Sequence, residues 1–217
     1  AQTGDERYKI AMDTLRKQMA EQPRTSEGGF WHKLRYPHQM WLDGIFMASP
    51  YLVQYGATFN EPALFDEATK QILLINSKTY DPATGLFYHG WDESHEQKWS
   101  NPETGCSPNF WSRSIGWYGA AIVDVLDFLP QETAGRDSII QILQGLAKAI
   151  VKYQDPSSGT WYQVTDQGAR EGNYLESSAT ALFIYTLAKA INKGYIGNEY
   201  IEPTQKAFDG MVRSEEH

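Results

Sequence analysis

Three charged residues lie in short segments that share one pattern. Asp43, Arg113 and Glu176 each follow an aromatic residue by two positions and precede a small residue. The segments read WLDG at 41–44, WSRS at 111–114 and YLES at 174–177. A carboxylate can exchange a proton, and a guanidinium can hold another carboxylate through two parallel hydrogen bonds. If the fold brings these segments together, they form a site for an acidic ligand.

Two histidines stand at equivalent places in turns that precede two of these segments. Each turn has a glycine, any residue, two aromatic residues and a polar residue. The three copies read GGFWH at 28–32, GLFYH at 85–89 and GTWYQ at 159–163. His32 and His89 share a position in two copies. A lone histidine usually has a structural role, but because this position is repeated, a functional role for His32 and His89 is equally well supported.

Each charged candidate also has a structural interpretation. Asp43 lies between Trp41 and Phe46 in an apolar segment, where it could act as general acid and base or satisfy backbone N–H groups at a helix start. Arg113 could bind the carboxylate of an acidic sugar or form an ion pair with a structural carboxylate. Glu176 could join the site or be satisfied by the serines that follow it.

Aromatic side chains are abundant, at 13% of residues with 7 Trp and 13 Tyr, and many lie in loops beside glycine and polar residues. Aromatic faces that stack on sugar rings explain this pattern well, and large side chains in a helical core explain it adequately. Trp41 is a candidate for the rim of the site. Trp111 and Trp117 are either sugar-stacking residues or core residues at helical spacing.

The elements that must position these residues are helices. Apolar residues recur at helical spacing, and no run of alternating residues predicts a strand. Asn60 is expected to cap the start of the third helix, with Pro62 early within it. The predicted helices cover roughly 5–20, 38–56, a stretch that begins after 60, 108–129, 136–154, 174–193 and 199–213.

The repeats predict three tandem units of outer helix, aromatic turn and inner helix, followed by one more outer helix. Helix pairs in a row bury both ends when they close into a ring, in which the starts of the inner helices surround one funnel. The sequence therefore predicts a single all-α domain over 1–217. A ring of six pairs needs twelve helices and only about seven are predicted here, so we expect this domain to be a central fragment of a longer barrel.

A partial ring would leave apolar helix faces uncovered at its two edges. The stripe of Ala179, Leu182, Phe183 and Leu187 is the candidate at one edge, and the face of the 5–20 helix is the candidate at the other. Exposed apolar patches often mark association sites, so self-association of the chain is expected.

The bulk composition excludes several classes of protein. With 19 basic and 27 acidic residues the net charge is −8, which is a poor match for nucleic acid or an anionic membrane. No apolar run approaches the roughly 20 residues of a membrane-spanning helix. The single cysteine, Cys106, excludes an intrachain disulfide and a cysteine-based zinc cage. The lack of a disulfide slightly favours the cytoplasm and leaves the compartment open.

The sequence contains no HExxH motif, EF-hand loop, phosphate-binding loop or GxSxG elbow. No metal site is therefore expected.

Longer motifs resemble one enzyme family over essentially the whole chain. They read RTSEGGFWHK at 24–33, YPHQMWLDG at 36–44, GLFYHGWDE at 85–93, ETGCSP at 103–108, FWSRSIGWY at 110–118 and NYLESS at 173–178. They are similar to the unsaturated rhamnogalacturonyl hydrolases of glycoside hydrolase family 105, which are related to family 88. The resemblance implies an (α/α)6 barrel of six helical hairpins, of which this chain is a part.

The implied activity is removal of 4,5-unsaturated galacturonic acid from the rhamnogalacturonan disaccharides of pectin that lyases produce. The family mechanism hydrates the vinyl ether instead of displacing at the anomeric carbon, which sets it apart from two-carboxylate glycosidases. The residue matching Asp43 is the general acid and base. Residues matching His32, His89, Trp111, Arg113 and Trp117 line the substrate pocket, and no cofactor is implied.

Two rival interpretations remain open at the level of the sequence. One is a related unsaturated glucuronyl hydrolase that acts on glycosaminoglycan fragments. The other is a truncated paralogue without catalysis, or a barrel fragment that binds sugar. The second gains support because family members carry another active-site aspartate upstream of the position that matches Ala1.

Overall fold

The computed structural model describes residues 4–215, and Ala1, Gln2, Thr3, Glu216 and His217 lie outside the described part. The described chain contains seven α-helices, one short 3-10 helix and two three-residue strands. In chain order these are α1 Glu6–Glu21, β1 Gln39–Trp41, α2 Leu42–Phe59, α3 Ala63–Thr79, β2 Gly90–Asp92, α4 Ser112–Val125, α5 Arg136–Lys152, α6 Ser177–Asn192, the 3-10 turn Asn198–Tyr200 and α7 Ile201–Glu215.

The helices form the predicted inner and outer rows. The inner helices α2, α4 and α6 pack side by side, with α4 in the middle. On the outer side, α3 packs on α2, α5 packs on α3 and α4, and α7 packs on α6. This arrangement confirms tandem hairpins, and it places the N-terminal ends of all three inner helices after an aromatic turn.

The inner helices approach closely because α4 carries small residues. A methyl group added at Gly116 would lie 2.7 Å from Cβ of Leu182, and one added at Gly119 would lie 2.9 Å from the side chain of Thr186. Both partners are on α6. Glycine therefore allows α4 to lie against α6, and this contact fixes the relative positions of the helix starts that carry the charged candidates.

A single type of loop occurs twice before α4 and once before α6. In each copy a glycine N–H donates to the carbonyl of the first residue at 2.8 Å, and the glycine has a positive φ between 73° and 80°. The side-chain oxygen of the first residue also accepts a bond from the backbone N–H three residues later, at 2.7–3.0 Å. The copies begin at Asp81, Asn101 and Asp155. The loops at Asp81 and Asp155 end in the repeats predicted at 85–89 and 159–163, whereas no predicted repeat marked the loop at Asn101.

The prediction that Asn60 caps the start of the third helix is wrong. Asn60 ends α2 in the left-handed conformation, with φ 57° and ψ 49°, and its backbone N–H donates to the carbonyl of Gly56. Pro62 stands at the N-cap of α3. Asparagine tolerates the left-handed region as well as it caps a helix start, so residue type alone did not separate the two roles.

The predicted exposed stripe on α6 is also wrong. Ala179, Phe183 and Leu187 are completely buried, and Leu182 is half-buried against Gly116. The reason is that α6 lies between α4 and α7, so this face belongs to the core and not to an edge.

The expectation for the other edge holds. Within α1 no residue is buried, and Tyr8 and Leu15 expose 59% and 49% of their surface. Whether the chain associates with itself stays a prediction. None of the helices between residues 4 and 215 is long and apolar enough to cross a membrane.

Candidate active site

Asp43 lies in the first turn of α2 and is half-buried. Its Oδ2 accepts a hydrogen bond from Oγ of Ser114, a completely buried residue in the first turn of α4. The N-cap position of α2 is held by Trp41, without a side-chain capping bond. Asp43 is therefore tied to the neighbouring inner helix, and the helix-cap alternative is not what the structure shows.

Three flat rings stack beside Asp43. The imidazole of His32 lies parallel to the indole of Trp41, with ring centroids 4.3 Å apart and an interplanar angle of 10°. Tyr36 stacks on Trp41 at 5.2 Å and 14°. The backbone N–H of His32 donates to the carbonyl of Gln39 at 2.7 Å, which fixes the turn against β1. These contacts hold the rings rigidly at the start of α2.

The second histidine joins the start of α2 to the start of α4. His89 meets Trp41 edge-on at 5.7 Å and Trp111 edge-on at 5.8 Å. The backbone N–H of Leu42 donates to the carbonyl of His89 at 3.0 Å, and Trp41 pairs with Gly90 across β1 and β2. The two aromatic turns therefore meet, as the repeat predicted.

A cleft of about 450 Å³ opens between these rings. Trp41, His89, Trp99 and Trp111 form its aromatic walls, and Asn109 and Gln163 contribute polar groups. A flat, apolar surface edged with amides and imidazoles suits a sugar ring, which has both apolar faces and hydroxyl edges.

Both imidazoles are neutral at neutral pH. Burial lowers the pKa of His32 from 6.5 to about 4, and the Asp43 carboxylate offsets only part of this shift. Burial also lowers the pKa of His89, again against an opposing effect of Asp43. A neutral imidazole can donate from one nitrogen and accept at the other, so each ring can bond a sugar hydroxyl.

Arg113 lies across the face of Trp111. The guanidinium carbon is 4.5 Å from the centre of the indole ring, and Nε is 3.3 Å from Oε1 of Glu176. Glu176 precedes α6 and is only 5% exposed. Ser178 Oγ also donates to Glu176 Oε1 at 2.6 Å, so the local partner expected for Glu176 is present together with the ion pair to Arg113.

The two remaining tryptophan predictions have different outcomes. Trp111 lines the cleft, and its indole nitrogen is buried without a hydrogen-bond partner in the described part of the chain. Trp117 packs against Phe46 of α2, with ring centroids 4.6 Å apart, and does not line the cleft. It is half-buried between two inner helices, which fits the core alternative.

Two site residues escaped the sequence analysis. Ser114 is the small residue of the repeated segment, and its position directly after Arg113 was the available signal. Trp99 lies in a loop outside the repeat, so no spacing pointed to it. Within residues 4–215, no group of three His, Cys, Asp or Glu side chains is placed to hold a metal ion.

Comparison with known proteins agrees with this geometry. The profile of Glycosyl Hydrolase Family 88 matches residues 1–217. Protein Atu3128 of Agrobacterium fabrum is 38% identical over 153 residues, which cover 70% of this chain and 64% of that protein. The unsaturated rhamnogalacturonyl hydrolase YesR of Bacillus subtilis is 26% identical over 219 residues, which cover 98% of this chain and 60% of that protein.

A solved structure shows the same fold. The family 105 glycoside hydrolase of C. acetobutylicum superposes with a TM-score of 0.95 and 42% identity, over 98% of this chain and 59% of that protein. The chain thus spans roughly three fifths of the length of each of these relatives. The match confirms the all-α fold of helical hairpins that form part of an (α/α)6 barrel.

The resemblance inferred from the motifs is therefore confirmed, and the chain belongs to Glycosyl Hydrolase Family 88.

Proposed function

We propose that the protein removes 4,5-unsaturated galacturonic acid from rhamnogalacturonan disaccharides, with Asp43 as general acid and base. The observation that carries this proposal is the Asp43 carboxylate, which buried Ser114 holds two residues from Trp41 in the wall of the aromatic cleft. Arg113 stacks on Trp111, another wall of the same cleft. One proton-exchanging carboxylate next to one carboxylate-binding guanidinium suits an acidic sugar that reacts by proton transfer.

The reaction adds one water molecule across the vinyl ether of the sugar. Asp43 in its acid form gives a proton to C4, and the positive charge that develops at C5 is shared with the ring oxygen. Water attacks C5 and returns a proton to Asp43, which restores the acid. The resulting hemiketal opens to a ketone and releases the neighbouring sugar. A single carboxyl group that gives and regains a proton is sufficient for this cycle.

The other site residues bind and orient the substrate in this proposal. Arg113 pairs with the sugar carboxylate through its two terminal nitrogens. Trp41 and Trp111 offer ring faces to the pyranose, and the neutral imidazoles of His32 and His89 bond its hydroxyl groups. Trp117 supports the site by packing between α2 and α4.

The name of the B. subtilis relative favours a rhamnogalacturonyl substrate over a glucuronyl one. The test is therefore a comparison of matched disaccharides. The unsaturated galacturonyl-rhamnose disaccharide should lose its double-bond absorbance in step with release of rhamnose, at a higher kcat/KM than an unsaturated glucuronyl disaccharide.

The saturated form of the galacturonyl disaccharide serves as the control. Hydration requires the double bond, so the saturated compound should not be cleaved. Cleavage of both forms at similar rates would contradict the proposal and indicate displacement at the anomeric carbon. Binding of the unsaturated disaccharide without turnover would favour a sugar-binding protein without catalysis.

A further inference from the structure

The ion pair between Arg113 and Glu176 leaves the terminal nitrogens of Arg113 and Oε2 of Glu176 without a hydrogen-bond partner among residues 4–215. The ion pair joins Nε of Arg113 to Oε1 of Glu176, at 3.3 Å. No group in residues 4–215 accepts a hydrogen bond from the terminal nitrogens of Arg113, whose side chain is 38% exposed. The guanidinium therefore presents its two-pronged edge without a protein partner.

Burial of the Glu176 side chain reduces the free energy of unfolding. Its Oε2 atom has no hydrogen-bond partner among the described residues, although the residue is only 5% exposed. An unpartnered, buried carboxylate oxygen destabilises a fold, and a neutral or apolar side chain at the same place would avoid this cost. A contribution to folding is therefore a poor explanation for a glutamate here.

The contacts of Glu176 explain it better as a support for Arg113. Ser178 Oγ holds Oε1 at 2.6 Å, and the backbone of Glu176 is bonded to Trp161 on one side and to Thr180 on the other. These contacts fix the position of the Glu176 carboxylate, so it cannot shift together with the Arg113 side chain. Arg113 is consequently confined between Glu176 and the face of Trp111, which lies 4.5 Å from the guanidinium.

We propose that Glu176 is a positioning residue, which orients Arg113 on Trp111 so that the terminal nitrogens of the guanidinium face the carboxylate of the substrate. This inference rests on the proposed function and extends it to the third inner helix. Each inner helix then has one part in a single reaction: α2 provides the acid and base, α4 provides the anion-binding group, and the start of α6 provides its orientation.

The test separates orientation of Arg113 from a structural role by a double-mutant cycle. Glu176→Met keeps the buried volume and removes both acceptors, so it should raise KM for the unsaturated disaccharide about tenfold while kcat stays within about threefold. In an Arg113→Ala background the same substitution should raise KM no further. Glu171→Met, an exposed change in the preceding loop, should leave KM unchanged.

Glu176→Gln distinguishes orientation from charge. The amide oxygen keeps the shape and polarity of Oε1 beside Nε of Arg113, so KM should stay within about threefold of wild type. Glu176→Asp keeps the charge but is one methylene shorter, so it should behave like Glu176→Met. If Glu176→Met does not unfold in a cooperative thermal transition, Glu176→Gln and Glu176→Asp are the variants that test the proposal. A larger loss for Gln than for Asp would overturn the proposal, as would an equal effect of Met in both Arg113 backgrounds.

Calorimetric titration with the same disaccharide keeps this inference distinct from the proposed function. Wild-type protein that binds the disaccharide but does not turn it over would contradict the proposed function alone. The dissociation constants of the Glu176 and Arg113 variants would then replace KM in the cycle, with the same expected ratios. Dissociation constants that are equal in wild type, Glu176→Met and Arg113→Ala would contradict the positioning role.

Discussion

Ser114 Oγ donates a hydrogen bond to Oδ2 of Asp43, which lies 71 residues earlier in the sequence, and this bond joins the first turns of two inner helices. Ser114 is completely buried, and Asp43 is half-buried, so the bond is partly shielded from water. A hydrogen bond to a charged group in such a setting contributes more than one between neutral groups. The bond therefore fixes the direction of the carboxylate that we propose exchanges the proton.

Ser114→Ala should lower kcat without unfolding the protein. A hydrogen bond to a charged group contributes about 1.5–3 kcal/mol, so losing it in the transition state would slow turnover by roughly 10- to 100-fold. Ser112→Ala is the matched control, because Ser112 is equally buried but bonds to Tyr162 and Thr165. It should reduce thermal stability and leave kcat within about threefold. Equal loss of kcat in both variants would count against this role.

Arg113→Lys should weaken binding of the acidic substrate. Lysine retains the charge but cannot form two parallel hydrogen bonds, so KM should rise about tenfold, equivalent to about 1.4 kcal/mol. Arg136→Lys is the control, because Arg136 also lies over an aromatic ring, that of Tyr195, away from the cleft. Equal affinity of the wild-type protein for the acid and for its methyl ester would argue against carboxylate recognition.

The stability of the fold should depend on pH through His32. Its pKa is lowered from 6.5 to about 4 in the folded state by burial, so the unfolded chain binds a proton that the folded chain does not. As the pH falls from 6.5 towards 4, the free energy of unfolding should decrease by up to about 1.4 kcal/mol per pH unit from this residue. Below pH 4 both states are protonated and the dependence ends.

Chemical denaturation at several pH values tests this linkage. His32→Gln should flatten the decline of unfolding free energy between pH 6.5 and pH 4, relative to wild type. An unchanged slope in His32→Gln would show that His32 is not buried in its neutral form.

The α6 stripe gives a direct test of core packing. Phe183 is completely buried and meets Trp161 edge-on at 5.0 Å, so Phe183→Ala should lower the free energy of unfolding by about 3–5 kcal/mol. Phe208→Ala on α7 removes the same side chain from a position that is 48% exposed. It should change the free energy by no more than about 1 kcal/mol. Similar effects of the two substitutions would mean that α6 is an exposed edge after all.

The sequence predicts the helices and the meeting of the helix starts well, because both depend on repetition. Apolar residues at helical spacing indicate each helix, and the shared pattern around Asp43, Arg113 and Glu176 places all three at equivalent points. Packing of α2, α4 and α6 in one row then brings them together. This part of the site follows from local pattern and symmetry alone.

Other features depend on contacts that no local pattern reports. Asn60 is chemically suited to both ends of a helix, and only the course of the chain decides between them. The burial of Phe183 follows from the closeness of α4 and α6, which in turn depends on Gly116. Trp99 reaches the cleft from an irregular loop. Each error arises where tertiary structure overrides residue type.

The central claim is that Asp43 exchanges the proton, and Asp43→Asn tests it most directly. Asparagine keeps the shape and can still accept a bond from Ser114, but it cannot cycle a proton, so kcat for loss of the double-bond absorbance should fall roughly 10²–10⁴-fold. Asp137→Asn changes another first-turn aspartate, at the exposed start of α5, and should retain wild-type activity. Retention of more than about a tenth of wild-type kcat by correctly folded Asp43→Asn would contradict the assignment.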